Sequence, residues 1–249
     1  MDRVYLRQGD CLELMKEIPD KSVDMILCDL PYGTTACKWD NVIPFEPLWE
    51  QYKRIIKDNG AIVLFGREPF TSKLVCSNIK DYKHKWVWNK KQSGSFQNAK
   101  YMPLQIDEDI IVFCKENKKV NYFPIMRKGK MRKRGGAKQK SRVVGSGLQD
   151  GFCNYSDLYY PTNILEFASI RKGRLHETEK PIKLLEYLIK TYTNEDELVL
   201  DNCMGSGSCG VACVNTNRCF IGIELDENYY NIAKERIENA KNEGIYKRA

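Results

Sequence analysis

The feature that most constrains the fold of this chain is a glycine-rich turn between a predicted strand and a predicted helix. Residues 197–200 predict a short strand, and Gly205, Gly207 and Gly210 follow it with the spacing Gly-x-Gly-x-x-Gly. The next predicted strand, residues 219–223, ends at Glu224, which stands 19 residues after Gly205. This order is typical of a parallel sheet that holds a nucleotide-like ligand at the carboxyl ends of its strands.

The rest of the chain alternates short apolar runs with amphipathic segments, which predicts strands and helices in turn. Further strands are predicted at residues 4–6, 23–28, 61–65, 85–88 and 109–114. Helices are predicted at residues 11–18, 45–56, 68–77, from Pro181 onward and at 229–240. We therefore expect an α/β fold with a doubly wound, mostly parallel, Rossmann-like sheet of seven strands.

A second candidate site follows the apolar run of residues 23–27. The site consists of Asp29, Leu30, Pro31, Tyr32 and Gly33, which stand at the carboxyl end of a predicted strand. A carboxylate and a flat ring held by a proline-fixed turn could grip a planar ligand that carries N–H donors. The alternative is an ordinary Pro-Tyr-Gly loop after a buried strand, and these residues alone leave both open.

The charge of the chain is concentrated in one block. The net charge is +7, and the segment from Arg127 to Arg142 holds nine basic residues and no acidic one. Such a block favours a contact surface for a polyanion, although a solvated loop is the alternative. The nine are Arg127, Lys128, Lys130, Arg132, Lys133, Arg134, Lys138, Lys140 and Arg142.

Several classes of protein are not expected from this sequence. No apolar run approaches the roughly 18 residues that span a bilayer, and the start lacks an apolar signal region, so the expected location is the cytoplasm. The ten cysteines lie largely in or beside apolar segments and include no Cys-x-x-Cys, and only two histidines are present. We therefore expect reduced thiols and no metal site.

Both candidate motifs resemble those of one enzyme family. The run from Asp201 to Ser208 is similar to the Asp-Pro-Phe-x-Gly-Ser-Gly-Thr box of S-adenosylmethionine-dependent methyltransferases that act on amino groups in nucleic acids. Asp29-Leu30-Pro31-Tyr32 resembles their (Asp/Asn/Ser)-Pro-Pro-Tyr catalytic box. The segment 176–181 resembles their His-x-Thr-x-Lys-Pro stretch. The catalytic box precedes the cofactor box, as in the circularly permuted β class of DNA amino-methyltransferases, the DNA methylase N-4/N-6 family.

The resemblance implies roles for the catalytic box. Asp29 and the carbonyl of Leu30 would accept hydrogen bonds from an exocyclic amino group, Pro31 would fix the turn, and Tyr32 would stack on a base flipped out of the duplex. Leu30 departs from the family pattern, where proline is usual, but its carbonyl is retained. Asp29 in place of serine favours adenine N6 over cytosine N4 as the methyl acceptor.

The resemblance also implies a binding site for S-adenosylmethionine. Its methionine part would lie against the turn, its ribose against Glu224, its adenine against Asp10 and the Cys11 backbone, and its carboxylate near Lys180. A helix cap is the alternative role for Asp10. Asn202 and Cys203 replace the usual Pro-Phe, which puts one packing contact in doubt. The implied turn residues are Asp201, Met204, Gly205, Ser206, Gly207 and Ser208.

These expectations give a division of the chain and a function. Residues 1–114 form the catalytic half of one core, 115–170 a basic insertion for target recognition, and 171–249 the cofactor half. The expected function is site-specific methylation of adenine N6 in double-stranded DNA. Cytosine-N4 methylation is the alternative, and an RNA methyltransferase, a protein-glutamine methyltransferase and an inert nucleic-acid-binding module are further ones. A homodimer and a cognate restriction nuclease stay open as partners, and no membrane is expected.

Overall fold

Ten β-strands and six α-helices form in the residues that the computed structural model describes, which are 3–33, 41–93, 96–134, 154–170 and 179–246. The strands are β1 (Val4–Gln8), β2 (Val23–Cys28), β3 (Ile56–Gly66), β4 (Tyr82–Asn89), β5 (Asp107–Phe113), β6 (Arg127–Arg134), β7 (Asn154–Tyr159), β8 (Ile164–Glu166), β9 (Leu198–Asp201) and β10 (Cys219–Glu224). The helices are α1 (Cys11–Leu14), α2 (Phe45–Ile55), α3 (Phe70–Ser77), α4 (Ile182–Tyr192), α5 (Ser208–Asn215) and α6 (Glu227–Tyr246). The chain divides into two compact units, residues 1–123 with 163–249 and residues 124–162.

The first unit contains one large sheet with the strand order β1-β10-β9-β2-β3-β5-β4-β8. β5 runs antiparallel to both of its neighbours, and every other neighbouring pair is parallel. The predicted doubly wound, mostly parallel α/β sheet is therefore confirmed. Its eighth strand in the described part of the chain is β8, which the sequence does not predict, because three residues are too few to show an alternating pattern.

The strand order reverses between β2 and β9, which pair in parallel through Met25 with Val199 and Ile26 with Leu200. The connection after β2 leads to its neighbour on one side, β3, and the connection after β9 leads to β10 on the other side. A crevice forms at such a reversal, outside the carboxyl ends of the two strands. Asp29 follows β2 and Asp201 ends β9, so both lie at this crevice.

Two apolar layers cover the sheet. One face packs against α4, α5 and α6, and the other packs against α1, α2 and α3. All six residues of β2 are buried, which explains why the strand is apolar without alternation. Its buried acid, Asp24, accepts hydrogen bonds from Lys57 at 2.6 Å and from the backbone N–H of Leu198 at 3.0 Å. Asp24 thus ties the central strand to both of its neighbours, β3 and β9.

One predicted boundary is wrong. The sequence Asp58-Asn59-Gly60 predicts a loop that closes helix α2, but β3 already begins at Ile56 and includes these residues. The pairing of β3 with β2 shifts register here, from Ile56 opposite Val23 to Ala61 opposite Met25. These turn-forming residues therefore occupy an irregularity inside a strand, where residues that favour turns are also found. Similarly, α1 is one turn long and passes into a 3₁₀ turn at Met15–Glu17.

The second unit is built on an antiparallel hairpin of β6 and β7. The sequence shows little periodicity here, so these strands are not predicted. Tyr159 anchors the hairpin: its hydroxyl donates to the Lys130 carbonyl at 2.7 Å, and Arg132 stacks over its ring at 4.4 Å. A β-carbon on Gly129 would lie 2.8 Å from the Tyr159 ring, so glycine leaves room for this packing.

No helix in the described part of the chain is long and apolar enough to cross a membrane.

A glycine fixes the approach of α5 to its neighbours, which gives a testable prediction. A β-carbon on Gly210 would collide with Ile237 of α6 and lie 2.8 Å from the Phe220 ring of β10. We expect Gly210→Ala to lower the free energy of unfolding by about 1–2 kcal/mol, since overpacking costs about 1–3 kcal/mol and the loss of a helical glycine returns up to about 1 kcal/mol. Urea denaturation measures it. The exposed helical change Glu235→Ala is the control, and equal stability of Gly210→Ala and the parent would contradict this packing.

Candidate active site

A cavity of about 700 Å³ opens at the carboxyl ends of β1, β2, β9 and β10. This is the size range of sites for small molecules and cofactors. All four residues of the catalytic box line it, as do all predicted cofactor residues except Gly207. Those lining residues are Asp10, Cys11, Asp29, Leu30, Pro31, Tyr32, Lys180, Asp201, Met204, Gly205, Ser206, Ser208 and Glu224.

The acid of the catalytic box is held by two donors. The Tyr32 hydroxyl lies 2.7 Å from Asp29 Oδ1 and 2.9 Å from Glu108 Oε1. Lys180 Nζ donates to Asp29 Oδ2 at 2.6 Å and lies 3.0 Å from Glu108 Oε1. Lys90 Nζ contacts the other oxygen of Glu108 at 2.5 Å. Two carboxylates, two ammonium groups and one hydroxyl therefore form a continuous network.

The network sets the protonation of its members. Burial raises the pKa of Asp29, and the nearby charge of Glu108 raises it further, against the opposing effect of Lys180. Burial works against the charge of Glu108 too, but Lys180 and Lys90 lower its pKa to about 2. Although burial disfavours the Lys180 ammonium, the two carboxylates raise its pKa. Burial and the same carboxylates raise the pKa of Tyr32.

Packing fixes the orientation of the catalytic box. Leu30 is buried in the apolar layer beneath the site, which suits its apolar side chain. The Tyr32 ring stacks on Phe70 with centroids 4.8 Å apart and an interplanar angle of 26°. On the other side of the network, Lys180 Nζ lies 5.0 Å from the centroid of the Phe65 ring. Aromatic rings thus support both donors to Asp29.

The glycine turn is held by Glu224, the acid at the end of the next strand, β10. Glu224 accepts the backbone N–H groups of Gly205 at 2.8 Å and Asp226 at 2.9 Å, and burial raises its pKa. Gly205 and Gly207 have φ angles of +49° and +79°, a region that favours glycine. Gly207 caps α5 and faces Ala233 of α6, so it shapes the turn without lining the cavity.

An arginine on the last helix also organises this turn. Arg236 donates to the hydroxyls of Ser206 at 3.2 Å and Ser208 at 3.0 Å, and it forms an ion pair of 2.5 Å with the buried Glu179. Arg236, Glu108 and Lys90 are functional residues that the sequence does not single out. No motif marks them, because each acts through a contact between distant segments.

Asp10 has the role of a helix cap. Its side chain accepts the backbone N–H of Leu12 at 2.7 Å, at the start of α1. It also lines the cavity together with Cys11. The cap and a ligand contact are compatible, because a carboxylate has further lone pairs.

The two residues that depart from the cofactor box have partners of their own. Asn202 accepts the Tyr52 hydroxyl at 2.5 Å, which ties the turn to α2, and Cys203 lines the cavity. Asp201 accepts the backbone N–H of Cys203 at 3.1 Å. Burial raises the pKa of Asp201 to about 7, and the charges of Asp29 and Glu224 act in the same direction.

The predicted basic residues lie in the second unit as far as the structure describes them. The backbone of β6 carries Lys133 and Arg134, and the side chains of Lys128, Lys130 and Arg132 are exposed. The remaining predicted residue of the strand is Arg127, whose side chain donates to the carbonyl of Tyr160 at 3.5 Å. Lys138, Lys140 and Arg142 lie outside the described residues, as does the segment 171–178.

Comparisons with known proteins agree on one family. Residues 23–235 match the family model described as DNA methylase. The type II methyltransferase M.HpaI of Haemophilus parainfluenzae is 26% identical over 94% of this chain and 74% of its own length. The DNA adenine methyltransferase YhdJ of Escherichia coli (strain K12) is 28% identical over 93% of this chain and 82% of its own length.

Solved structures share the fold. The M1.HpyAVI-SAM complex has a TM-score of 0.65 and 24% identity, covering 94% of this chain and 99% of the other. The cytosine-N4-specific PvuII DNA methyltransferase has a TM-score of 0.67 and 15% identity, covering 99% of this chain and 94% of the other.

The buried acid of the turn gives a prediction about pH. Because the pKa of Asp201 is about 7 in the folded protein and about 4 in an unfolded chain, the folded state holds its proton more tightly. Stability should therefore fall as the pH rises from about 4 to about 7. In the free protein, Asp201→Asn should remove this fall, so its stability relative to the parent should be about 2–3 kcal/mol higher at pH 8 than at pH 5.

Urea denaturation at the two pH values measures the difference. The exposed change Glu235→Gln is the control, and it should shift stability equally at both. A constant difference between Asp201→Asn and the parent would contradict the assigned pKa shift.

Proposed function

Because this chain belongs to the DNA methylase family, we propose that it is a site-specific DNA methyltransferase that methylates adenine N6 in double-stranded DNA. The observation that carries the proposal is the meeting of the Asp29–Tyr32 box and the glycine turn around one cavity of about 700 Å³. The Asp29–Tyr32 box is suited to bind an amino group, and the glycine turn is suited to bind a nucleoside that carries a polar chain. A methyl donor and an acceptor can therefore be held side by side, which supplies the positioning that a direct transfer needs.

The residues of the cavity fit S-adenosylmethionine as the cofactor. Glu224 suits the ribose hydroxyls, Asp10 and the Cys11 backbone suit the adenine ring, and the segment 201–208 suits the methionine part. Lys180 lines the same cavity and lies 2.6 Å from Asp29, so it would stand beside the target amine; its contact with the cofactor carboxylate stays a prediction. When bound, this cofactor supplies a methyl group activated by a positively charged sulfonium.

The catalytic box prepares the target nitrogen. An exocyclic amine is a poor nucleophile, because its lone pair is delocalised into the ring. Hydrogen bonds to Asp29 and to the Leu30 carbonyl would favour a tetrahedral nitrogen, whose lone pair forms the new N–C bond while the C–S electron pair stays on sulfur. The nitrogen then loses one proton, and the raised pKa of Asp29 suits this carboxylate to take it.

Tyr32 is positioned to receive a flipped base. Stacking on Phe70 holds the ring, and its hydroxyl is tethered to Asp29 and Glu108. A base that stacks on this ring recovers part of the few kcal/mol that unstacking costs. Pro31 fixes the turn between acid and ring.

Adenine is the base we propose, on two grounds. The catalytic box begins with aspartate, and YhdJ, which is named a DNA adenine methyltransferase, resembles this chain over most of its length. Cytosine N4 is the second candidate, because the same chemistry applies to its amino group and the fold is shared with a cytosine-N4-specific enzyme. An RNA methyltransferase, a protein-glutamine methyltransferase and a binding role without catalysis are further alternatives, and DNA without any methylated nucleoside in the test below would favour them.

Target recognition is proposed for residues 115–170, between the catalytic part at 1–114 and the cofactor part at 171–249. The exposed lysines and arginines of the hairpin support contacts with DNA phosphates. The type II names of the relatives support a cognate restriction nuclease in the same system. A homodimer is the assembly to test, and the cytoplasm, where DNA is accessible, is the proposed location.

The products test this function and the role of Asp29. The protein is incubated with unmodified DNA and S-adenosylmethionine, and the nucleosides are analysed by mass spectrometry. We expect N6-methyladenine from the parent, and from Asp29→Ala a rate lower by at least about a hundredfold, because the amine loses its acceptor. Cofactor affinity, measured by calorimetry, should change little, and Glu235→Ala is the active control. N4-methylcytosine would overturn the base assignment, and a fully active Asp29→Ala would refute the catalytic role.

The salt dependence of DNA binding tests the hairpin. Each phosphate contact contributes about 0.9 to the slope of log K against log salt concentration. The double change Lys128→Gln/Lys130→Gln should therefore lower the slope by about 2 and weaken binding to all sequences alike. Lys73→Gln/Lys80→Gln, two exposed lysines in or near α3, is the control with the same loss of charge. Equal slopes for the hairpin variant and the parent would contradict a phosphate-binding role.

A further inference from the structure

Both oxygens of the catalytic carboxylate already have a donor. Asp29 Oδ1 is 2.7 Å from the Tyr32 hydroxyl, and Oδ2 is 2.6 Å from Lys180 Nζ. The target amine needs an acceptor at this same carboxylate, so the two donors compete with it. The site must therefore provide another acceptor for at least one of them when the base enters.

Glu108 lies beside both donors. Its Oε1 is 2.9 Å from the Tyr32 hydroxyl and 3.0 Å from Lys180 Nζ. Its Oε2 is held by Lys90 at 2.5 Å, and the Lys90 ammonium lies 5.1 Å from the centroid of the Trp88 ring. The side chain is 5% exposed and belongs to the antiparallel strand β5. One oxygen is thus fixed in place while the other faces the two donors of Asp29.

We propose that Glu108 is a positioning residue that takes over Lys180 and the Tyr32 hydroxyl when the target amino group binds Asp29. The inference rests on the proposed methyltransferase function and adds a residue that no catalytic motif includes. The displacement needed is small, since Lys180 is already 2.6 Å from one carboxylate and 3.0 Å from the other. Without Glu108, the release of Asp29 would break a buried ion pair of Lys180 with no neighbouring oxygen of Glu108 to replace it, which is costly.

The charges around the two acids favour this division of partners. Lys180, Tyr32, Glu108 and Asp201 face Asp29, whereas Lys90, Lys180, Tyr32 and Asp29 face Glu108. The two lysines keep Glu108 anionic, which makes it the stronger partner for an ammonium. Burial and the charge of Glu108 raise the pKa of Asp29, which weakens its hold on Lys180.

The test compares Glu108→Gln with the parent in single-turnover methylation of DNA as a function of pH. We expect the rate to fall by about tenfold or more, because Lys180 then stays on Asp29 and competes with the amine. The acidic limb of the pH profile should move to lower pH, since Asp29 loses a neighbour of like charge. Affinity for S-adenosylmethionine, from calorimetry, should stay within about twofold, since the change leaves the cofactor contacts intact.

A matched control lies one residue away on the same strand. Asp109 pairs with Lys85 at 2.8 Å, away from the network, and Asp109→Asn should leave the rate and the pH profile unchanged. If Glu108→Gln fails to fold, Glu108→Gln/Lys90→Gln removes one charge of each sign and should show the same shift of the acidic limb.

The outcomes separate this inference from the function on which it rests. A parent that transfers no methyl group to DNA contradicts the proposed function itself. A parent that is active, with a Glu108→Gln variant of equal rate and an unmoved acidic limb, overturns the role of Glu108 alone. A lower rate with an unmoved limb would also overturn it, because a purely structural contribution predicts that result.

Discussion

The parallel pairing of β2 with β9 is the constraint on which the site depends. It joins a strand of the amino-terminal half to a strand of the carboxyl-terminal half at the point where the strand order reverses. The two strands end at Asp29 and Asp201, so residues far apart in the chain meet at one edge of the sheet. Buried Asp24 supports this pairing by accepting the N–H of Leu198 in β9, and it also pairs with Lys57 of β3. The fold thereby brings two short motifs together around a single cavity.

Within that cavity, the buried charged groups around Asp29 share their partners. Asp29 and Glu108 share Lys180 and the Tyr32 hydroxyl, and Lys90 completes the balance. A lone carboxylate at this depth would be expensive, whereas a shared network can exchange partners at low cost. The glycine turn is held in a similar way. Glu224 at the end of β10 accepts a backbone N–H of the turn, and Arg236 of α6 donates to its serine hydroxyls. The ability of Asp29 to accept an amine thus depends on the whole network of charged groups and not on Asp29 alone.

The sequence predicts those parts of the fold and site that depend on local pattern. Apolar runs and glycine spacing suffice for the parallel strands, for the turn at 205–210 and for the placement of candidate residues at strand ends. Glu108 and Arg236 escape prediction because their partners come from distant strands and helices, and such contacts leave no spacing in the sequence. Residues 58–60 predict a helix end but form an irregularity inside β3, because Asp, Asn and Gly suit both positions. The hairpin of the basic segment has no apolar alternation, since β6 consists mostly of lysine and arginine.

The central claim is that the strand ends form one site for the methyl donor and its acceptor. Amide hydrogen exchange of the whole protein, with and without S-adenosylhomocysteine, tests it most directly, because exchange reports protection at each segment of the backbone. The account predicts protection at residues 9–12, 29–32, 203–209 and 224–229, which line the cavity or shape its turn, and no change at Arg127–Arg134. Protection confined to other segments, or to the glycine turn without the catalytic box, would contradict a shared site.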